Sequence, residues 1–169
     1  IGENKRNIDE QSINLAKNPK DFYCHINLLV AYLYAQDNEK ALEIFLNAEK
    51  QFPEQALLYT YGGDIYKRLH MWEQAFECWN NALELDTEIT SPMWAKAMCY
   101  EALGDFQNAY QTWLEIIAWL EARGYEDELK EPRNRGEEQA DTVCSICGRP
   151  VDYLASDMRP VFPEERLLV

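Results

Sequence analysis

The sequence repeats itself with a period of 34 residues. Three positions of the period show this best, because an alanine, a tyrosine and a large aromatic residue recur in each copy. The recurring residues are Ala41, Ala75 and Ala109; Tyr32, Tyr66 and Tyr100; and Phe45, Trp79 and Trp113. A period of this length predicts a stack of similar structural units, each of which buries its apolar surface against its neighbours.

The spacing inside one period predicts pairs of helices. Each recurring aromatic residue follows the recurring alanine by four positions, so both lie on one helical face. A small residue allows two helices to cross closely, and the aromatic ring fills the space beside the crossing. Gly104 and the segment 36–38 carry helix-ending turn signals. We therefore expect helices at 5–17, 22–35, 38–51, 56–69, 72–85, 91–103 and 106–124.

These residues and their spacing resemble the tetratricopeptide-repeat family, whose period is about 34. The resemblance implies an all-α helical solenoid of three antiparallel helix pairs, preceded by an N-terminal helix and followed by an irregular C-terminal tail. The implied parts are a capping helix or partial repeat at 1–21, repeats at 22–55, 56–89 and 90–124 (the last with an extended second helix), a charged linker at 125–140 and a tail at 141–169.

The resemblance also implies which side chains line the inner surface, namely six positions on the first helix of each repeat. The candidate partner-binding residues are Tyr23, Ile26, Asn27, Val30, Tyr34, Tyr61, Asp64, Lys67, Arg68, Trp94 and Met98. The other inner positions hold Leu33, Leu57, Thr60, Ser91, Ala95, Glu101 and Ala102. This mixed surface suits an amphipathic helix or an extended apolar peptide. The alternative is that Tyr23, Tyr61 and Trp94 pack against neighbouring side chains.

One kind of family ligand is argued against by the residues at the inner positions. Co-chaperone members of the family hold a C-terminal carboxylate with cationic and amide side chains at set places. The corresponding places here hold Ile26, Val30, Tyr61, Ser91 and Ala95, none of which is a cation.

Charge and composition narrow the partner classes. The chain has 16 basic and 30 acidic residues and a formal net charge of −14, which disfavours nucleic acid as a partner. It has no apolar stretch long enough for a membrane span and no recognisable signal peptide at its start.

Five cysteines, an odd number at scattered positions, favour free thiols and a reducing compartment. We therefore expect a cytoplasmic protein with a protein or peptide partner.

The segment 126–140 has the composition of a linker. It reads EDELKEPRNRGEEQA, and Pro132 and Gly136 interrupt it. Both residues disfavour the interior of a helix, and charged side chains favour extension in water.

Cys144 and Cys147, followed by Gly148, resemble half of a zinc-ribbon or rubredoxin-like knuckle. Two thiolates at this spacing can hold one zinc ion, but a structural site needs four ligands and no second pair follows. Three completions stay open. In the first, a second copy of the chain supplies the other ligands, so that the tail links a homo-oligomer. In the second, the other ligands are side chains of the same chain, namely His70, Asp141, Asp152 or Asp157. In the third, the loop holds no metal. A thiol–disulfide role is a further alternative.

The sequence thus favours a protein-interaction scaffold. The alternative is a regulatory or accessory subunit whose zinc-binding tail contacts a partner or a second copy. We expect no enzymatic activity, because the sequence has no phosphate-binding loop, nucleophile motif or clustered acid–base pair.

Overall fold

A computed structural model describes residues 2–147, 152–153 and 160–161, with side chains for residues 2–142. The chain divides into two compact units between Pro92 and Met93. The described residues form eight α-helices and two short strands. The helices are α1 (Gly2–Lys17), α2 (Phe22–Tyr34), α3 (Asn38–Gln51), α4 (Ala56–Arg68), α5 (Trp72–Leu85), α6 (Ser91–Ala102), α7 (Phe106–Arg123) and α8 (Lys130–Cys147). The expected all-α fold is confirmed, and helices α2 to α7 lie within one residue of the predicted limits.

The core of the first unit lies between the helices α2 to α5. Ala41 and Ala75 have no solvent exposure, and Phe45 and Trp79 are almost wholly buried four residues later. The ring of Phe45 makes edge contacts with aromatic rings of α4. The interpretation of the repeated alanine as a close crossing and of the aromatic residue as its filler is therefore confirmed.

The turn inside each helix pair has the same geometry in all three pairs. Gln36, His70 and Gly104, which are 34 residues apart, all have a left-handed backbone with φ of 61°, 59° and 74°. The following N–H groups, of Asp37, Met71 and Asp105, bond to the carbonyls of Tyr32, Tyr66 and Tyr100 at 2.9–3.0 Å. This bond satisfies a carbonyl that the last helical turn leaves unpaired. The repeated tyrosine therefore marks the end of each first helix.

Two of the second helices begin with an aspartate cap. The Asp37 carboxylate accepts the Lys40 N–H at 3.2 Å, and the Asp105 carboxylate accepts the Asn108 N–H at 3.3 Å. Such a cap satisfies one of the free N–H groups of the first turn. Met71 occupies the same place before α5 and makes no side-chain cap.

The second unit has its own core, built around α7. Trp113, Ile116 and Leu120 have no exposed surface there. The Trp94 ring of α6 meets the Trp113 ring edge to face, with centroids 5.1 Å apart. The indole N–H of Trp113 donates to the Glu101 carboxylate at 2.7 Å. These contacts join α6 to α7.

The predicted linker at 125–140 is wrong. Residues Glu126–Glu128 form a 3-10 turn, and α8 begins at Lys130 and includes the first seven residues of the predicted tail. Pro132 lies in the first helical turn, where its missing N–H has no intrahelical acceptor to lose. Gly136 is buried, 3.7 Å from Ile117 and 3.9 Å from Trp113 if a Cβ is built on it. The two residues thus fit the helix because of where they fall in it.

Beyond α8, two short strands are described. β1 (Asp152–Tyr153) pairs with β2 (Pro160–Val161) in antiparallel register, with Asp152 opposite Val161. The Cys144 and Cys147 backbones form the last turn of α8, whereas their side chains lie outside the described part of the chain.

Two glycine substitutions should shift stability in opposite directions. A Cβ on Gly63 would overlap the Trp79 indole, so Gly63→Ala should lower the free energy of unfolding by about 1–3 kcal/mol. A Cβ on Gly136 would make ordinary van der Waals contacts, so Gly136→Ala should raise it by about 0.5–1 kcal/mol through helix propensity. Urea denaturation measures both. A destabilised Gly136→Ala variant would contradict the placement of α8.

Candidate protein-binding surface

A stripe of largely exposed side chains, with only Val30 partly buried, runs along α2. It consists of Tyr23, Asn27, Val30 and Tyr34, which are spaced by four, three and four residues and so share one helical face. Tyr23 is 66% exposed and Tyr34 is 74% exposed, which is unusual for aromatic side chains. The two rings are three helical turns apart, about 16 Å along the axis. The stripe therefore offers two large apolar contacts on either side of the Asn27 amide.

A second stripe with the same spacing runs along α4, at Leu57, Tyr61, Asp64 and Arg68. Leu57 is 41% exposed, whereas Tyr61 is partly buried against the core of the first unit. The guanidinium of Arg68 donates to the Leu33 carbonyl at 3.0 Å, near the end of α2. Among the described residues this is its only hydrogen bond. It fixes the end of α4 beside the end of α2, and thus brings the two stripes together there.

Charged groups add polarity to the second stripe. The Lys67 ammonium lies 3.6 Å from the Asp64 carboxylate, with both side chains about 40% exposed. Burial raises the pKa of Asp64 above its ordinary value of 3.8, and the positive charges of Lys67 and Arg68 partly offset that rise. An ion pair this exposed contributes little to stability. Its side chains are therefore available to exchange partners.

Part of the implied inner surface is not accessible. Ile26 and Leu33 are only 5% and 7% exposed and belong to the core of the first unit, and Val30 packs against that core. Ile26 therefore offers a partner no surface, contrary to its place among the candidate residues. The Thr60 hydroxyl donates to the Ala56 carbonyl within its own helix. The residues of the two stripes whose side chains are exposed, together with the half-buried Asp64, form the α2–α4 stripe pair, which we define as Tyr23, Asn27, Tyr34, Leu57, Asp64 and Arg68.

The inner positions of the third repeat also include both accessible and inaccessible side chains. Met98 is 51% exposed and continues the pattern of exposed positions on α6. Trp94 is partly buried and packs on Trp113, so the alternative of packing against a neighbour holds for it. Glu101 is bonded to three side chains of α7 and α8. Only Met98 of these three is free to meet a partner.

Two clefts were not anticipated from the sequence. One of about 480 Å³ lies between α1 and the turn after α2, and its walls include Lys5, Asp9, Tyr32 and Lys40. The other, of about 390 Å³, has Trp94 in its wall, with Asp127, Glu128, Lys130, Glu131 and Asn134. The second depends on α8, which the linker prediction excluded. No residue pattern in either segment signals a cleft.

Three cysteines, Cys24, Cys78 and Cys99, lie in the part of the chain that the structure describes with side chains, and none of them forms a disulfide there. Burial raises the pKa of Cys78 to about 12, with Glu49 and Glu77 adding to the rise. Its thiol is therefore almost wholly protonated at neutral pH and is a poor nucleophile.

Within the described range, no three or more His, Cys, Asp or Glu side chains gather closely enough to hold a metal ion. Nor does any helix of that range combine the length and the apolar character that a bilayer crossing requires.

Solved structures with a similar fold include tetratricopeptide proteins. The chain superposes on TTC0263 of Thermus thermophilus with a TM-score of 0.65 and 21% identity, over 82% of this chain and 74% of that one. For a tetratricopeptide repeat protein of Parabacteroides merdae the values are 0.64 and 16%, over 85% and 59%. For MamA they are 0.55 and 14%, over 82% and 89%. No protein-family model and no curated sequence matches the chain. The likeness establishes the tetratricopeptide-type fold.

Asp64→Asn should change how stability depends on pH. The pKa of Asp64 is higher in the folded than in the unfolded chain, so the folded chain is favoured when this carboxyl is protonated. The contribution of Asp64 to the free energy of unfolding is therefore complete below pH 3.8 and is lost as the pH rises through the folded-state pKa. Relative to the unsubstituted chain, the variant should therefore become more stable as the pH rises from 3.8 towards neutrality. Urea denaturation across that range measures the difference, with Asp127→Asn as the charge-matched control. A variant that loses relative stability as the pH rises would contradict the raised pKa.

Proposed function

We propose that this chain is a protein-interaction scaffold and that the α2–α4 stripe pair binds a partner peptide. The observation that carries the proposal is the exposure of Tyr23 and Tyr34 on one face of α2. A buried core explains the apolar residues on the opposite face, but packing within the first unit does not explain these two rings.

The chemistry of the stripe pair fits a peptide with apolar anchors. Tyrosine rings supply large contact areas at a small cost in side-chain entropy, and they are common at the centres of interfaces. Asn27 and Arg68 offer hydrogen-bond donors between and beside the rings. The Arg68 bond to the Leu33 carbonyl holds this surface in place before a partner arrives, which lowers the entropic cost of binding.

Loss of an exposed tyrosine should weaken binding without unfolding the chain. A peptide that binds is first selected from a displayed random 12-residue library on the immobilised chain. Tyr34→Ser should then reduce its affinity at least about tenfold, as expected for an aromatic anchor, and change the melting temperature little. Tyr125→Ser, an exposed tyrosine of the other unit, is the matched control and should change the affinity less than about twofold. Equal affinities for both variants would contradict the proposal.

The second candidate function is that of an accessory subunit with a zinc-binding tail. It rests on the Cys144–Cys147 spacing, which suits chelation of one ion by two thiolates. The remaining ligands then come from a second copy of the chain or from acidic or histidine side chains. The α2–α4 stripe pair and the tail would serve different partners, so the two proposals do not exclude each other.

Metal content tests the tail. If two chains share an ion, purified protein should contain about one zinc per two chains and elute as a dimer, and Cys144→Ser should abolish both properties. Cys24→Ser is the control, since Cys24 lies in the first unit. One zinc per chain in a monomer would instead indicate completion by the chain's own side chains, and zinc-free protein after purification in zinc-containing buffer would contradict this second function.

A further inference from the structure

The charged side chains of α2 and α4 all lie at one end of these two helices. Helix α2 contains no Asp, Glu, Lys or Arg, and α4 contains three such residues, Asp64, Lys67 and Arg68, near its end. The Arg68 bond to the Leu33 carbonyl places them beside the end of α2. Because two cations stand against one carboxylate, the two helices together carry a net positive charge at the end near Tyr34.

The second helices of the same two repeats have the opposite charge. Helix α3 contains three glutamates and two lysines, and α5 contains three glutamates and no basic residue. The chain as a whole has a formal net charge of −14. The positive charge is therefore confined to the helices that carry the stripes, where it favours an acidic partner and sets its register.

Both cations are accessible to such a partner. Basic side chains in a last turn favour the end of their own helix, but this interaction does not remove them from water. The Lys67 side chain is 42% exposed, and Arg68 is exposed as well. Arg68 has five N–H groups, of which one donates to the Leu33 carbonyl.

The two exposed tyrosines are spaced like residues on one face of a partner helix. Tyr23 and Tyr34 are about three helical turns apart, about 16 Å along α2. A second helix that lies along this face presents its own side chains at the same interval. An extended peptide covers that distance in about five residues, and its side chains alternate between two sides. Two anchors an odd number of residues apart then face opposite ways, so a helix fits the stripe better.

The direction of such a helix follows from the ends of α2 and α4. Helix α3 connects them through short turns, so α2 and α4 run the same way and end side by side at Arg68. The C-terminal end of a helix carries a partial negative charge and its N-terminal end a partial positive charge. An antiparallel partner brings its N-terminal end here, together with the acidic side chains that a first turn favours. A parallel partner would instead bring its last carbonyls beside those of α2 and α4.

We infer that the ligand of the α2–α4 stripe pair is an amphipathic α-helix of a partner protein, bound antiparallel to α2 and α4, with an acidic residue of its first turn against Lys67 and Arg68. The apolar face of this helix contacts Tyr34 first and, about three turns later, Tyr23 and Leu57. The inference rests on the proposed function, because it names the ligand of the same surface.

A charge exchange between the chain and a peptide tests the position of the acidic residue. The probe is a peptide selected on the immobilised chain from a displayed random library of about 18 residues, or five helical turns. Lys67→Glu in the chain should lower its affinity at least about tenfold, and lysine in place of the peptide's N-terminal acidic residue should restore it. This substitution leaves the Arg68 bond in place. Lys130→Glu, an exposed lysine of the other unit, is the matched control and should change the affinity less than about twofold.

The conformation of the bound peptide is the second measurement. The Cα chemical shifts of the isotopically labelled peptide should take helical values in the complex. Extended values, an essential acidic residue in the C-terminal half of the peptide, or no recovery on charge exchange would overturn the inference. If Tyr34→Ser still weakened binding, the proposed function would stand. Selection of no peptide, or equal affinity of the Tyr34→Ser and unsubstituted chains, would instead contradict the proposed function and this inference with it.

Discussion

Close approach between helices is the constraint on which the rest of the molecule depends. Ala41, Ala75 and Ala109 are wholly buried, and the large ring four residues after each fills the space beside the crossing. Gly63 is tighter still, because no side chain fits between it and the Trp79 indole. Since these contacts fix which face of each helix points inward, they also fix which face stays in water. The exposed stripes of α2 and α4 are a consequence of this packing.

The helices could be predicted from the sequence because their signals are local. The alanine–aromatic spacing, the aspartates at 37 and 105, and the repeated tyrosine all act within a few residues of where they stand. The segment after α7 could not be predicted in this way. Pro132 and Gly136 disfavour a helix on average, but one falls in the first turn and the other against Trp113. Their effect depends on a register and a neighbour that composition does not show.

Part of the candidate surface could also be predicted from local spacing along one helix. The exposed positions of α2, Tyr23, Asn27 and Tyr34, follow from one helical face of one helix. The intermediate positions are decided by the helix that packs beside them: Ile26 is covered in the first unit, and Trp94 meets Trp113 in the second. The period shows which positions face inward. Whether a side chain there is exposed to a partner depends on the size of the side chain that packs beside it. The bonds of Glu101 with Arg135 and Gln139, which join residues up to 38 positions apart, have no local signal in the sequence.

The bond from Arg68 to the Leu33 carbonyl has a consequence for how such a chain can change by recombination. The Leu33 carbonyl, near the end of the first helix of its repeat, accepts the Gln36 N–H of its own repeat and a second donor from the next repeat, so the repeats are similar in outline but not identical in their contacts. Duplication of the second repeat would place a second arginine where the preceding helix ends in lysine and arginine, and excision would leave the Leu33 carbonyl with the Gln36 N–H alone. Gain or loss of a whole repeat would therefore change the polar contacts at this junction, even though the 34-residue period would preserve the register.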